Sequence, residues 1–249
     1  MKRAAILLPG LTRTFKQSIA EFNKFFIENN KDQWIIDVYL CFQETTYGTN
    51  SKNIGNPIKI PIDTEEVVSS FKPFRYKIYE IPMEKISKDY LLIEDKIRLP
   101  SNYPLRDGVL FNDRKFYPFI YNGVLCQFYG WKLAYEMILE EQIEYDLVVK
   151  TRFDVVPTSP VDFSQIDTSI ISHYDYTSQF PMNDLIFMSS KENMRLTMNI
   201  YDSLVYDNKM PQGSPSIHGV SFPENIFRHY VRETIKIRHK RIGNAKYYR

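Results

Sequence analysis

The run Tyr145-Asp-Leu-Val-Val-Lys-Thr-Arg-Phe-Asp154, continued by Val155-Val156-Pro157, constrains the fold more than any other part of the chain. Its apolar, β-branched start is that of a strand buried on both faces, the kind found inside an α/β sheet. Ligands of such sheets bind in the crevice beyond the carboxyl ends of the strands. The run delivers Lys150, Arg152 and Asp154 to that end, and a basic, basic, acidic set there can hold a diphosphate and a divalent cation together. The plainer alternative is a surface ion pair between Arg152 and Asp154.

The rest of the chain fits an α/β alternation. Residues 3–8 predict a short buried strand, with a turn at Pro9-Gly10. Thr12 or Thr14 then caps a helix to about Asn29, on which Phe15, Ile19, Phe22, Phe25 and Phe26 recur at helical spacing. Strands are expected at 34–42 and 74–81, with a helix at 63–71 between them capped by Asp63. This βαβαβ order implies a mostly parallel central sheet with helices on both faces. Residues 82–117 break the rhythm and read as an insertion over the site edge. A long helix at 118–142 follows, on which Gly123, Gln127, Gly130 and Ala134 form a stripe of small residues broken by one amide. Such a stripe admits close packing of a neighbouring backbone or the approach of a ligand. Beyond Pro160 the elements shorten: strands at 168–172 and 184–188, a helix at 191–206, a loop at 211–223, a short helix opened by Pro223-Glu224 and an edge strand at 234–238.

The 249 residues suffice for one α/β domain. Their formal charge of +2 is too balanced for general nucleic-acid binding, and the basic tail after Arg228 reads as a solvated strand and a fraying terminus. The apolar start is too short for an export signal, and no run is long enough for a membrane span. Cys41 and Cys126, without Cys or His neighbours at metal spacing, read as buried free thiols, which with the missing signal predicts a cytoplasmic protein with at most peripheral membrane association.

The opening strand with Pro9-Gly-Leu-Thr-Arg-Thr-Phe15, the segment Asn122-Gly-Val-Leu-Cys-Gln-Phe-Tyr-Gly-Trp-Lys132, the Tyr145–Asp154 run and Asn183-Asp-Leu-Ile-Phe-Met-Ser-Ser190 resemble, in this order, nucleotide-sugar glycosyltransferases of the GT-A type. More narrowly they resemble groups from bacterial surface-polysaccharide clusters and large DNA viruses. The resemblance implies a Rossmann-related, GT-A-like single domain with a nucleotide-sugar-binding half at about 1–156 and an acceptor half at about 157–249. It implies transfer of a sugar from a nucleotide diphosphate donor to a glycan or glycolipid acceptor, with Mn2+ or Mg2+ bridging the donor diphosphate on an Asp-x-Asp motif. The sequence departs from that motif, because Arg152 stands at the first acidic position and only Asp154 remains. Either Asp154 holds the metal, or Arg152 and Lys150 replace much of it by neutralising the leaving diphosphate.

Further candidates follow from position. Gly10 and Arg13 stand at the first turn, where a guanidinium and helix amides meet a nucleotide or its phosphates, and Gln127 is the polar member of the small stripe facing the same donor. Asp184 heads a strand and is the candidate base for the acceptor hydroxyl. His218, in a Pro/Gly loop, is a candidate late metal ligand, and Glu224 a candidate contact to the acceptor. Two competing classes stay open: a sulfotransferase using residues 10–15 as its phosphate loop, and a noncatalytic glycan-binding module with a degraded metal motif.

Overall fold

The computed structural model describes the chain apart from residues 13, 44, 49–57, 98–116, 176–181, 183, 208–222 and 249, and describes the backbone alone at 45–48, 58–60, 90, 93–97, 117–123 and 223–225. The first strand, β1 (Lys2–Gly10), pairs in parallel with β2 (Trp34–Gln43), and β2 in turn with β5 (Arg75–Tyr79). Between β2 and β5 lie a two-stranded antiparallel hairpin, β3 (Thr45–Gly48) and β4 (Ile58–Pro61), and the helix α2 (Thr64–Phe71). The expected Asp63 cap is present, its Oδ1 accepting the Glu66 N–H at 3.0 Å.

Two details of the first βα unit differ from expectation. Pro9 and Gly10 do not form the expected turn but are the last two residues of β1, paired to β2 opposite Cys41 and Phe42. Leu7, two residues before Pro9, turns its carbonyl toward Thr151 N–H at 3.0 Å on the side of the neighbouring strand β6 (Leu147–Lys150). Two residues on, the nitrogen of Pro9 faces the same side, where β6 has ended, so the missing donor costs no ladder bond. The helix α1 (Phe15–Phe22) has Thr14 at its N-cap position without a side-chain capping bond, and passes into a π-helical turn, Asn23–Glu28.

After α3 (Met83–Ile97), which forms the start of the expected insertion, α4 (Tyr117–Glu140) runs along the sheet and leads into β6, parallel to β1. The short β7 (Val155–Pro157) follows, then β8 (Ile171–Asp175), β9 (Ile186–Ser189), the helices α5 (Lys191–Met198), α6 (Ile200–Val205) and α7 (Pro223–His229), and finally β10 (His239–Tyr247). The expected edge strand at 234–238 is absent. A π-helical turn occupies Tyr230–Thr234, and β10 stands between β8 and β7 in the strand order, so the tail is paired as far as Tyr247 instead of fraying. Its residues 239–244 pair with β8 and 245–247 with β7, and only Ala245 of the strand is buried, so its sequence stays polar.

One eight-stranded sheet results, ordered β5-β2-β1-β6-β9-β8-β10-β7, parallel from β5 to β6 and mixed beyond. Alternate residues of β1 enter opposite cores. Ala5 and Leu7 pack with Trp131, Phe128 and Phe227 under α4 and α7, whereas Ala4, Ile6 and Leu8 pack with Phe22, Phe71 and Phe153 under α1 and α2. The α/β class with helices on both faces is therefore as expected. Gly130 of α4 packs tightly against the side chain of Tyr79 from β5, because a Cβ there would meet the Tyr79 hydroxyl at 2.5 Å. Among the described residues no helix is long and apolar enough to cross a membrane.

Candidate functional site

The strand β6 ends at Lys150 opposite Leu7 of the parallel β1, which runs on to Gly10, and β9 runs antiparallel to β6 with Lys150 opposite Phe187. That register brings Asp184, just before β9, to the place where the chain leaves β6. The turn Thr151–Asp154 starts there and is fixed on several sides. Thr151 Oγ1 donates to the Val155 carbonyl at 3.1 Å, the Ser18 hydroxyl of α1 donates to the Phe153 carbonyl, and Tyr248 N–H donates to the Asp154 carbonyl at 2.9 Å. The Phe153 ring sits edge-on to Phe42 and Phe71, with centroids at 6.0 and 5.4 Å.

Gln127, Lys150, Arg152, Asp154 and Asp184 meet here, although they come from α4, β6, the turn and the lead-in to β9. Arg152 and Asp154 form a bidentate ion pair: Nε donates to Oδ1 and Nη2 to Oδ2, each at 2.9 Å. It is not the surface pair of the plainer alternative, since the Asp154 side chain is only 3% exposed and that of Arg152 26%. Arg152 also donates from Nη2 to the Tyr247 hydroxyl at 3.3 Å, and its guanidinium carbon lies 5.4 Å from the centre of the Tyr247 ring. Burial works against the guanidinium charge, but Asp154, Asp184 and Tyr247 outweigh it and push the pKa of Arg152 above its ordinary value.

Lys150 points away from solvent. It is fully buried, its ammonium 4.2 Å from the centre of the Trp131 ring, and it donates to the main-chain carbonyls of Asp184 and, at 3.4 Å, Leu185. In this geometry it grips the backbone that carries Asp184. Asp184 is 1% exposed; its Oδ2 accepts the Gln127 amide, while Oδ1 is buried and has no hydrogen-bond partner among the described residues. A buried carboxyl oxygen left so is unusual and calls for a reason, of which a catalytic role is one.

At the end of β1, Gly10 has φ +119, a backbone form only glycine adopts without strain, and a Cβ there would meet nothing within 4 Å. Thr12 Oγ1 and Thr14 Oγ1 are buried without hydrogen-bond partners among the described residues. Arg13 and His218 themselves lie outside the described residues, as does the side chain of Glu224, whose backbone belongs to the first turn of α7.

The described residues do not fit a divalent ion at Asp154. Both of its carboxylate oxygens are held by Arg152, and among the described residues no three His, Cys, Asp or Glu side chains gather so as to hold a metal.

Tyr247 was not singled out in the sequence, because nothing in a polar C-terminal strand signals that it returns to the end of β6. A second cluster was equally hidden. His173 Nδ1 lies 3.0 Å from Asp175 Oδ1, His239 Nδ1 lies 3.3 Å from His173 Nε2, and Met182 N–H donates to Asp175 Oδ2 at 3.4 Å. Cys41 and Cys126 are free, as expected, and burial pushes each thiol up to about 12, so neither is a nucleophile at neutral pH.

No family model matches the chain, and no curated protein matches it in sequence. Among solved structures, the apo crystal structure of mouse xyloside xylosyltransferase 1 is similar at a TM-score of 0.43 and 9% identity, over 97% of this chain and 84% of that one. A likeness this slight carries no argument about either fold or function.

Proposed function

We propose that the chain is a glycosyltransferase that moves a sugar from a nucleotide diphosphate donor to a hydroxyl of a glycan or glycolipid acceptor. The observation that carries this reading is the unpartnered, buried Oδ1 of Asp184 beside the Arg152–Asp154 pair, at the carboxyl ends of parallel strands. One free carboxylate oxygen and one fixed cation are what a single displacement needs: a base on one side of the reacting carbon and charge neutralisation on the other. The ordered resemblance of four sequence segments to nucleotide-sugar glycosyltransferases supports the same reading. In this scheme residues about 1–156 bind the donor, with Gly10 and Arg13 toward the nucleotide or its phosphates, and residues about 157–249 shape the acceptor side, Glu224 included.

In the reaction, Asp184 accepts the proton of the acceptor hydroxyl. The hydroxyl oxygen forms a bond to the anomeric carbon as the bond from that carbon to the diphosphate oxygen breaks, and the electron pair leaves with the diphosphate. Gln127 holds the second oxygen of Asp184, so the carboxylate keeps its orientation while Oδ1 receives the proton.

Thermal stability measured with a panel of nucleotide sugars, their diphosphates and phosphoadenosine phosphosulfate tests the class, since a ligand that binds only the native state raises its apparent stability. Stabilisation by nucleotide sugars followed by turnover with a hydroxyl acceptor is expected. Stabilisation by the sulfate donor alone would make the chain a sulfotransferase, and binding without turnover a recognition module. Asp184→Asn should leave donor affinity nearly unchanged and lower turnover by ~10²–10⁴, the share of a general base.

A further inference from the structure

We infer that Arg152 is itself the cation of this site, so that a nucleoside diphosphate binds and leaves there without a divalent metal ion. The inference rests on the glycosyltransferase reading and specifies how its leaving group is held. Asp154 is closed to a metal by its neighbour, since Arg152 takes both carboxylate oxygens at 2.9 Å. A metal ion seated on Asp154 has to break that pair, leaving a half-buried guanidinium without its counter-charge and next to a second cation. The resemblance points to a motif with two carboxylates around a metal. Here the first carboxylate is replaced by a permanent positive charge that occupies the second.

The guanidinium is also placed to do more than cancel Asp154. It carries five N–H donors. Nε and Nη2 use theirs on Asp154 and on the Tyr247 hydroxyl, and the two donors on Nη1 have no partner among the described residues. Those two N–H groups diverge from one nitrogen, on a side chain that keeps 26% exposure at the end of β6. Each can donate to a separate phosphate oxygen, and because Asp154 and the Tyr247 ring already fix the group, little freedom is lost when a phosphate arrives. The C-terminal strand thus belongs to the site. Tyr247 lies opposite Val155 in the ladder between β10 and β7, so pairing of the last strand sets the position of the ring under Arg152.

Calorimetry with uridine diphosphate, guanosine diphosphate and inorganic pyrophosphate, each in excess EDTA and in millimolar Mn2+, tests the inference. The wild-type chain should bind at least one nucleoside diphosphate with affinities within about threefold of each other in the two conditions. Arg152→Ala should weaken that binding roughly 10- to 100-fold in both, the loss of a charged hydrogen-bonding group. Arg152→Asp, which frees Asp154 and adds a second carboxylate, should bind the same diphosphate only when Mn2+ is present. Wild-type binding that is about tenfold or more tighter with Mn2+ overturns the inference and leaves the proposed function standing. Undiminished binding by Arg152→Ala overturns it as well. Absence of nucleoside diphosphate binding in both conditions overturns the proposed function and the inference together. Should either variant fail to fold, the wild-type comparison decides alone.

Discussion

Lys150 shows how far a residue's role is decided by where its side chain ends. As a basic residue at a strand end it was a candidate phosphate ligand, yet it is fully buried beside Trp131, and its ammonium bonds to the carbonyls of Asp184 and Leu185. Sequence placed it at the right end of the right strand. It did not tell inside from outside, because a strand covered on both faces has no polar side to which a lysine must point. Arg152, two residues on, has left the strand and meets its partners in the turn. The same limit applies to Asp184 and Gln127, whose convergence needs the antiparallel register of β9 and appears in no local pattern. Lys150→Met keeps most of the stem and removes the donor, so two buried carbonyls lose their partner. Urea unfolding should show a loss of about 1–3 kcal/mol, and turnover should fall through the displaced Asp184 with little change in diphosphate affinity. A selective loss of diphosphate over nucleoside affinity would instead return Lys150 to direct contact with the phosphates.

Elements were legible in proportion to their hydrophobic pattern. The strands of the parallel half and the helices α2 and α4 fall where apolar spacing and capping residues place them, with the Asp63 cap as a clear instance. β7 has three residues, and β10 is polar with one buried side chain, so neither carries a period that sequence reasoning can detect. Both are held by backbone pairing to partners far away in the chain, and these two strands carry the turn of Asp154 and the ring of Tyr247. The small stripe on α4 is a case in which the two alternatives divide by residue. Gln127 faces the site, while Gly130 serves packing, since a Cβ there would meet the Tyr79 hydroxyl at 2.5 Å. Gly130→Ala should therefore destabilise by roughly 1–3 kcal/mol through overpacking, despite alanine being the better helix former. In a Tyr79→Phe background the obstructing oxygen is gone and the same substitution should cost clearly less. Equal cost in both backgrounds, from a double-mutant cycle in urea, would place the strain elsewhere.

At the scale of the whole molecule, the sheet divides the work: its parallel half ends at the candidate site, and its mixed half, together with α7, carries two half-buried histidines. Burial lowers the pKa of His229, with Arg228 and Arg232 adding to the effect and Glu233 opposing it. Burial likewise lowers His239, with His173 on β8, Arg232 of the π-helical turn and Arg228 of α7 adding to the effect and Asp175 opposing. A histidine whose folded pKa lies below its ordinary 6.5 is neutral in the native state where it is already charging in the unfolded one. The unfolded chain then binds more protons, so stability rises with pH in that window and is lost as pH falls from about 6.5 through the folded values. Asp89 is shifted in a separate, more acidic window. Burial alone would raise its pKa, but Lys85 and the hydroxyls of Tyr201 and Tyr206 outweigh that and hold it below 3.8, so its contribution persists until the carboxylate range is reached. Urea midpoints measured between about pH 7.5 and 5.5 should therefore fall, and the fall belongs to the histidines. His229→Gln with His239→Gln should flatten the profile in that range while leaving the acid-limb loss below it. A profile equally steep in the double variant would assign the titration to other groups and make the two half-buried imidazoles indifferent to folding.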